Sequence, residues 1–147
     1  MNVYSDADGT AIRFLENLPL PPLTYVGGDF NCRSSLWDEK VRAINHMAQT
    51  LSDVMSSHGL VVRLPPTRRC THYPANGHHP SIIDLVFLPS DDTTASVHVG
   101  NRGESDHAPI FTTIKLHHTE AHTKPSIKPE SDKELVEQVL QSGVQGV

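Results

Sequence analysis

The spacing of apolar positions changes period along the chain. Val3 and Tyr4 read as the end of an extended segment, which runs at once into turn chemistry at Ser5 to Gly9. In "TAIRFLENL", Ile12, Leu15 and Leu18 fall on one helical face, and "PLPPL" ends that helix because prolines cannot continue the hydrogen-bond ladder. "LTYVGG" is a short β-rich run, a buried strand that delivers Asp29 at its carboxyl end. The strongest helical period lies in "SLWDEKVRAINHMAQTLSDVMSSHG", residues 35–59. There Val41, Ile44, Ala48, Leu51 and Met55 form one stripe, Ser35 with Asp38 resembles a capping box, and Gly59 stands at the expected C-terminal cap.

Farther on, "LVVRL" predicts a strand and "PPTRRCTHYPANGHHPS" a long polar loop or hairpin. "IIDLVFL" is apolar nearly throughout, which predicts a strand covered on both faces. "SVHV" is a further strand, and "GNRGESDHAPIFTTIKL" runs from a glycine-flanked loop into a last one. Residues 117–130 have the composition of a linker, and "SDKELVEQVLQSG" after them is a short amphipathic helix with Ser131 and Glu134 as its capping pair. Strands and helices interleave, so the expected class is α/β. The expected division is a domain over residues 1–116, a linker over 117–130 and a helix with its tail over 131–147.

Composition narrows the picture in a few places. At 147 residues the chain is one domain or part of one, and with 37% hydrophobic and 5% aromatic residues its apolar content is on the low side for a compact domain. The formal net charge of −5 means that any grip on a polyanion comes from local basic patches. Cys32 and Cys70 are too few for a disulfide framework and read as reduced intracellular thiols. No apolar run approaches the ~20 residues of a membrane span, and a signal-peptide pattern is not present, so an intracellular location is expected.

Three acidic motifs share one property: each places a carboxylate at the end or in the middle of an apolar strand. They are Asp29 in "GGDFN", Asp84 in "SIIDLVF", and Asp106 with His107 in "ESDHAPI". Carboxylates in such places are costly to desolvate unless paired, hydrogen-bonded or bound to metal. One such motif is a turn cap as readily as a site; three in a row point to shared chemistry. Asp29 and Asn31, two residues apart at a strand end, should face the same side and address one ligand.

In order and spacing, "NVYSD", "GGDFN", "PTRR", "IDLVF" and "SDHAPI" resemble the endonuclease/exonuclease/phosphatase superfamily, whose members include deoxyribonuclease I. The nearest subgroup is the endonuclease domain of non-LTR (LINE-type) retrotransposons. The resemblance covers residues 2 to about 116. It implies a four-layer α-β-β-α sandwich of the deoxyribonuclease I-like type, Mg²⁺ (or Mn²⁺) as cofactor and a DNA phosphodiester as substrate. It further implies that Asp29 activates or orients the attacking water and that the Asn31 amide holds water or phosphate. Asp84 would orient His107 and fix its tautomer, and His107 would donate to a phosphate oxygen. Tyr4 would contact the phosphate or leaving group, and Asp106 would ligate the metal. Thr67, Arg68 and Arg69 would contact the nucleic-acid backbone. Asp29, Asn31, Asp84, Asp106 and His107 should converge at one edge of a sheet, with Asp84 in hydrogen-bond reach of His107.

Family members carry an active-site Asn and a metal-ligating Glu on early strands, and this chain begins after both, so the N-terminal half of the fold is expected to be missing. The remaining sheet would then expose an apolar inner face. The expected partners are DNA and, in a longer polyprotein, the missing half or a reverse transcriptase; a nuclear location follows if genomic DNA is the substrate. An alternative is a non-catalytic retroelement remnant that binds nucleic acid or a partner, and a lipid or inositol phosphate phosphatase of the same superfamily is a third reading. Cys70, His72, His78 and His79 raise the question of zinc, though their spacing fits no standard four-ligand pattern. His117, His118 and His122 read as linker residues. Trp37 reads as a core or helix-start residue, with base stacking as the other option.

Overall fold

The computed structural model describes residues 1–22 and 24–115; the expected linker at 117–130 and the helix at 131–147 lie outside them. Six strands and two helices follow in the order β1 (Asn2–Tyr4), α1 (Thr10–Leu15), β2 (Val26–Asp29), α2 (His46–Ser57), β3 (Leu60–Val62), β4 (Asp84–Pro89), β5 (Ser96–Val99) and β6 (Ile110–Thr113). A four-stranded sheet has the order β1-β2-β4-β3, and β5 pairs with β6 in a second sheet. β1 runs parallel to β2, while β2 and β3 are antiparallel to β4.

β4 is the centre, and its apolar run is covered on both faces as the sequence implies. Leu85 and Phe87 pack with Ile12 and Leu15 of α1 and with Ala48, Leu51 and Met55 of α2. Phe30 closes edge-on against Phe87 with ring centroids 5.5 Å apart. The alternate residues, Val86 and Leu88, pack with Ala95, Val97, Tyr25 and Ile110 on the side of the second sheet. Helices, sheet and second sheet thus form three layers. The second sheet covers part of the inner face that the sequence suggested would be bare.

The double glycine before Asp29 has a steric cause. Gly28 has φ +153°, and a Cβ there would lie 1.8 Å from the Val3 carbonyl oxygen, so only glycine lets β1 pair alongside β2. Ser5 N–H then donates to the Asp29 carbonyl at 2.8 Å and fixes where β1 leaves the sheet.

The helix predicted from residue 35 starts eleven residues later, at His46. Asn45 is its N-cap, the side chain accepting from Met47 N–H at 2.8 Å. Gly59, at φ +70°, ends it and donates to the Ser56 carbonyl at 2.9 Å, as expected. Residues 35–45 are kept out of the helix by tertiary contacts. Trp37 is fully buried, and the buried Asp38 carboxylate accepts from Lys40 N–H at 3.1 Å and Ile82 N–H at 3.2 Å, tying this segment to the approach to β4. The proposed Ser35–Asp38 capping box does not form, and Ile44, assigned to the buried stripe, is 48% exposed. Trp37 is a core residue and therefore no base-stacking platform.

Candidate active site

The end of the four-stranded sheet sets three side chains in a row. Tyr4 is the register partner of Asp29, and Asp29 is the partner of Asp84. Partners in a ladder project to the same face, so the phenol and both carboxylates share one face at one end. Tyr4 is largely exposed, while Asp29 and Asp84 are each well covered. Asp84 is the first residue of β4 rather than an interior one, which leaves its carboxylate at the sheet edge.

His107 closes this group from the loop before β6. Its Nδ1 lies 3.0 Å from Asp84 Oδ2 and 3.2 Å from Oδ1, and its Nε2 lies 3.9 Å from Asp29 Oδ2. With Asp84 as acceptor, the ring proton belongs on Nδ1 and the Nε2 edge is turned toward Asp29. Burial pushes the Asp29 carboxyl above its ordinary range, and the negative charge of Asp84 pushes the same way; the Asn31 N–H and the His107 ring pull against them. Burial, with the Asp29 charge, likewise pushes the neighbouring Cys32 thiol up to about 12, so it is protonated and unreactive at neutral pH.

Asn31 differs from the simple alternation argument. It lies beyond the end of β2 in the left-handed region at φ +49°, and its N–H donates to Asp29 Oδ1 at 2.9 Å. Asp29 and Asn31 are therefore adjacent through a side-chain-capped turn, not through the two-residue strand period. The turn holds Asp29 in place.

Thr71 is a residue that the motifs did not single out. Its buried hydroxyl accepts from Ile83 N–H at 3.1 Å and Asp84 N–H at 3.0 Å, and its carbonyl accepts from Ala108 N–H at 2.7 Å. One residue thus ties the start of β4 to the His107 segment. Nothing local distinguishes a threonine inside the loop "TRRCTHYP", so only long-range pairing could have found it.

His72 and Asp106 form a second group around His107. Asp106 Oδ2 is 3.9 Å from His72 Nε2, and the His72 and His107 rings lie 4.6 Å apart at 42°. Donor atoms of His72, Asp106 and His107 lie within 4.8 Å of one another, as do those of Asp29, Asp84 and His107. Asp106 therefore meets His107 in company with His72, not in the same cluster as Asp29 and Asp84. The four zinc candidates do not assemble. The Cys70 sulfur accepts from Lys40 Nζ at 3.5 Å, and His78 and His79 are exposed on the loop.

Of the basic tract, Thr67, Arg68 and Arg69 are all exposed, but Arg68 pairs with Glu39 and Arg69 Nη1 reaches the Val99 carbonyl at 3.5 Å. Beside the Asp84–His107 pair opens a cleft of about 790 Å³, lined on its apolar side by Val86, Leu88 and Ile110.

A family model described as endonuclease-reverse transcriptase matches residues 5–111. The chain belongs to this family. Curated proteins give no match. Among solved structures, the chain is similar to the endonuclease domain of TRAS1, a telomere-specific non-LTR retrotransposon, with 22% identity and a TM-score of 0.52. That similarity covers 63% of this chain and 43% of the other, so this member of the endonuclease-reverse transcriptase family spans less than half of the solved domain. Its three layers are part of the deoxyribonuclease I-like α/β sandwich, the architecture the sequence motifs implied.

Proposed function

We propose that this chain carries the catalytic residues of a metal-dependent phosphodiesterase, a DNA-nicking endonuclease of the non-LTR retrotransposon type. The observation that supports the reading most is the Asp84–His107 contact at 3.0 Å beside Asp29, in a chain whose family is one of endonucleases. A histidine held by a carboxylate through one nitrogen presents the other to a ligand in a fixed tautomer, the arrangement a phosphate-binding donor needs. As an imidazolium, its charge supported by Asp84 at Nδ1, His107 would donate from Nε2 to a phosphoryl oxygen. Asp29, its carboxyl raised by burial, would hold the attacking water and accept its proton. The Asn31 amide and the exposed Tyr4 phenol would bind the flanking phosphate and leaving oxygens.

The donor set fits a hard divalent cation. Carboxylate oxygens of Asp29 and Asp84 lie within reach of one another and of His107, and Asp106 offers a solvent-facing carboxylate in the group that His107 shares with His72. When bound, Mg²⁺ (or Mn²⁺) would neutralise charge on the phosphoryl oxygens. Thr67 and Arg69 would contact backbone phosphates, with Arg68 joining once released from Glu39. Genomic DNA as substrate would place the protein in the nucleus, alongside the family's reverse transcriptase.

The test is nicking of supercoiled plasmid with Mg²⁺ by the chain alone and by a form completed with the N-terminal half of a family domain. The completed form should nick and lose about 10²–10³-fold in rate as His107→Ala; the chain alone should be slow or inert. A completed form that binds DNA but never nicks would support the non-catalytic remnant instead.

A further inference from the structure

We propose that His72, Asp106 and His107 form a binding site for a borderline divalent transition-metal ion of the Zn²⁺ type, sharing only His107 with the carboxylate-rich group of Asp29 and Asp84. Two imidazoles and one carboxylate bring donor atoms within 4.8 Å of one another. Imidazole favours zinc and cobalt over magnesium, which prefers oxygen. The donors of a tetrahedral zinc site stand about 3.3 Å apart for bonds near 2 Å. The 3.9 Å between His72 Nε2 and Asp106 Oδ2 is thus a small contraction away, and the exposed Asp106 side chain is free to make it.

The two histidines are held differently. His107 gives Nδ1 to Asp84, which is the carboxylate–histidine–metal arrangement that turns Nε2 into a strong ligand. His72 is fixed by its backbone: it bridges Ser81 on one side and His107 on the other, and Tyr73 N–H donates to the Asp106 carbonyl at 2.7 Å. All three ligand positions are therefore set by one small backbone framework. The buried Nδ1 of His72 has no partner among the described residues, so a ring ligating through Nε2 leaves an unbonded N–H there. His107 is accordingly the anchoring ligand and His72 the weaker one. If the nuclease reading holds, an ion here would engage His107 and Asp106 together and withhold both from the phosphodiester, so Zn²⁺ would inhibit.

The test is titration of the full chain with Co²⁺, followed by its visible absorption and displaced by Zn²⁺. A saturable signal is expected, insensitive to millimolar Mg²⁺ and lost in His107→Ala. His72→Gln and Asp106→Asn should each weaken Co²⁺ binding by about tenfold or more, whereas a joint His78→Gln, His79→Gln variant should titrate like the parent. Circular dichroism checks each variant's fold, and Asp106→Asn, at an exposed side chain, decides the matter should His72→Gln unfold. No saturable signal, or an Asp106→Asn or a folded His72→Gln variant that binds Co²⁺ like the parent, would overturn the proposal. Cleavage is not part of the readout: a chain that binds Co²⁺ through His72 and never nicks DNA in completed form keeps this site and loses the nuclease assignment.

Discussion

Asp29 and Asp84 face each other as the terminal register pair of the β2–β4 ladder, each with 16% of its side chain exposed. Two like charges directly opposite in a sheet oppose folding, and both are partly shielded from water. Asp29 carries the cost visibly, since its carboxyl is pushed above the ordinary range first by burial and then by Asp84. The sheet holds these groups together against their mutual repulsion, a strain of the kind that functional sites store.

Asp29→Asn should therefore raise stability at neutral pH. A carboxyl whose folded pKa exceeds its unfolded value of 3.8 contributes nothing at lower pH, where both states are protonated. It destabilises increasingly as pH rises from there through the folded value, and by a constant amount above it. The advantage of Asp29→Asn in thermal melts should follow that course, vanishing in acid. A variant less stable than the parent at pH 7 would show that the pairing with His107 outweighs burial.

Thr71→Val should destabilise by about 1–3 kcal/mol, because the Ile83 and Asp84 N–H groups lose their acceptor in a buried place. Thr71→Ser keeps the hydroxyl and should retain most of that stability. Urea melts with an unchanged slope would measure it.

Asp84→Asn should free His107 to exchange tautomers. In the parent, ring ¹⁵N chemical shifts of His107 should report the proton on Nδ1, facing Asp84 at 3.0 Å. In the variant a mixed population, or the Nε2-protonated form, is expected. An unchanged spectrum would mean that Asp84 does not set the tautomer.

Leu51→Ala, in the middle of α2 and fully buried, should cost about 2–5 kcal/mol. Ile44→Ala should stay within about 0.5 kcal/mol, since Ile44 precedes the helix and is half exposed. Comparable losses at both would restore the longer helix that the apolar period suggests.

Local pattern carried the elements whose burial is continuous along the chain. "IIDLVFL" reads as a two-sided strand because every side chain in it meets a packed layer, and Ile12 with Leu15 reads as a helix face because both meet the same sheet. The carboxylates Asp29 and Asp84 of the candidate site were legible for a related reason: a charged group beside an apolar strand is too costly to be there without a partner. Their partners were not legible from spacing alone. Thr71, tied to Asp84 from 13 residues away, and His72, set against Asp106 and His107, acquire their roles only where distant segments pair. The same holds for residues 35–45, where a helical period is present but burial of Trp37 and the bonds of Asp38 to Lys40 and Ile82 hold the backbone elsewhere. By itself the sequence determined that the apolar run of β4 and the faces of α1 and of α2 from Ala48 to Met55 had to be buried, and that Asp29 and Asp84 had to find partners. The tertiary structure decided which partners they found, because hydrogen bonds and metal-ligand sets between distant segments depend on backbone placement that no local period encodes.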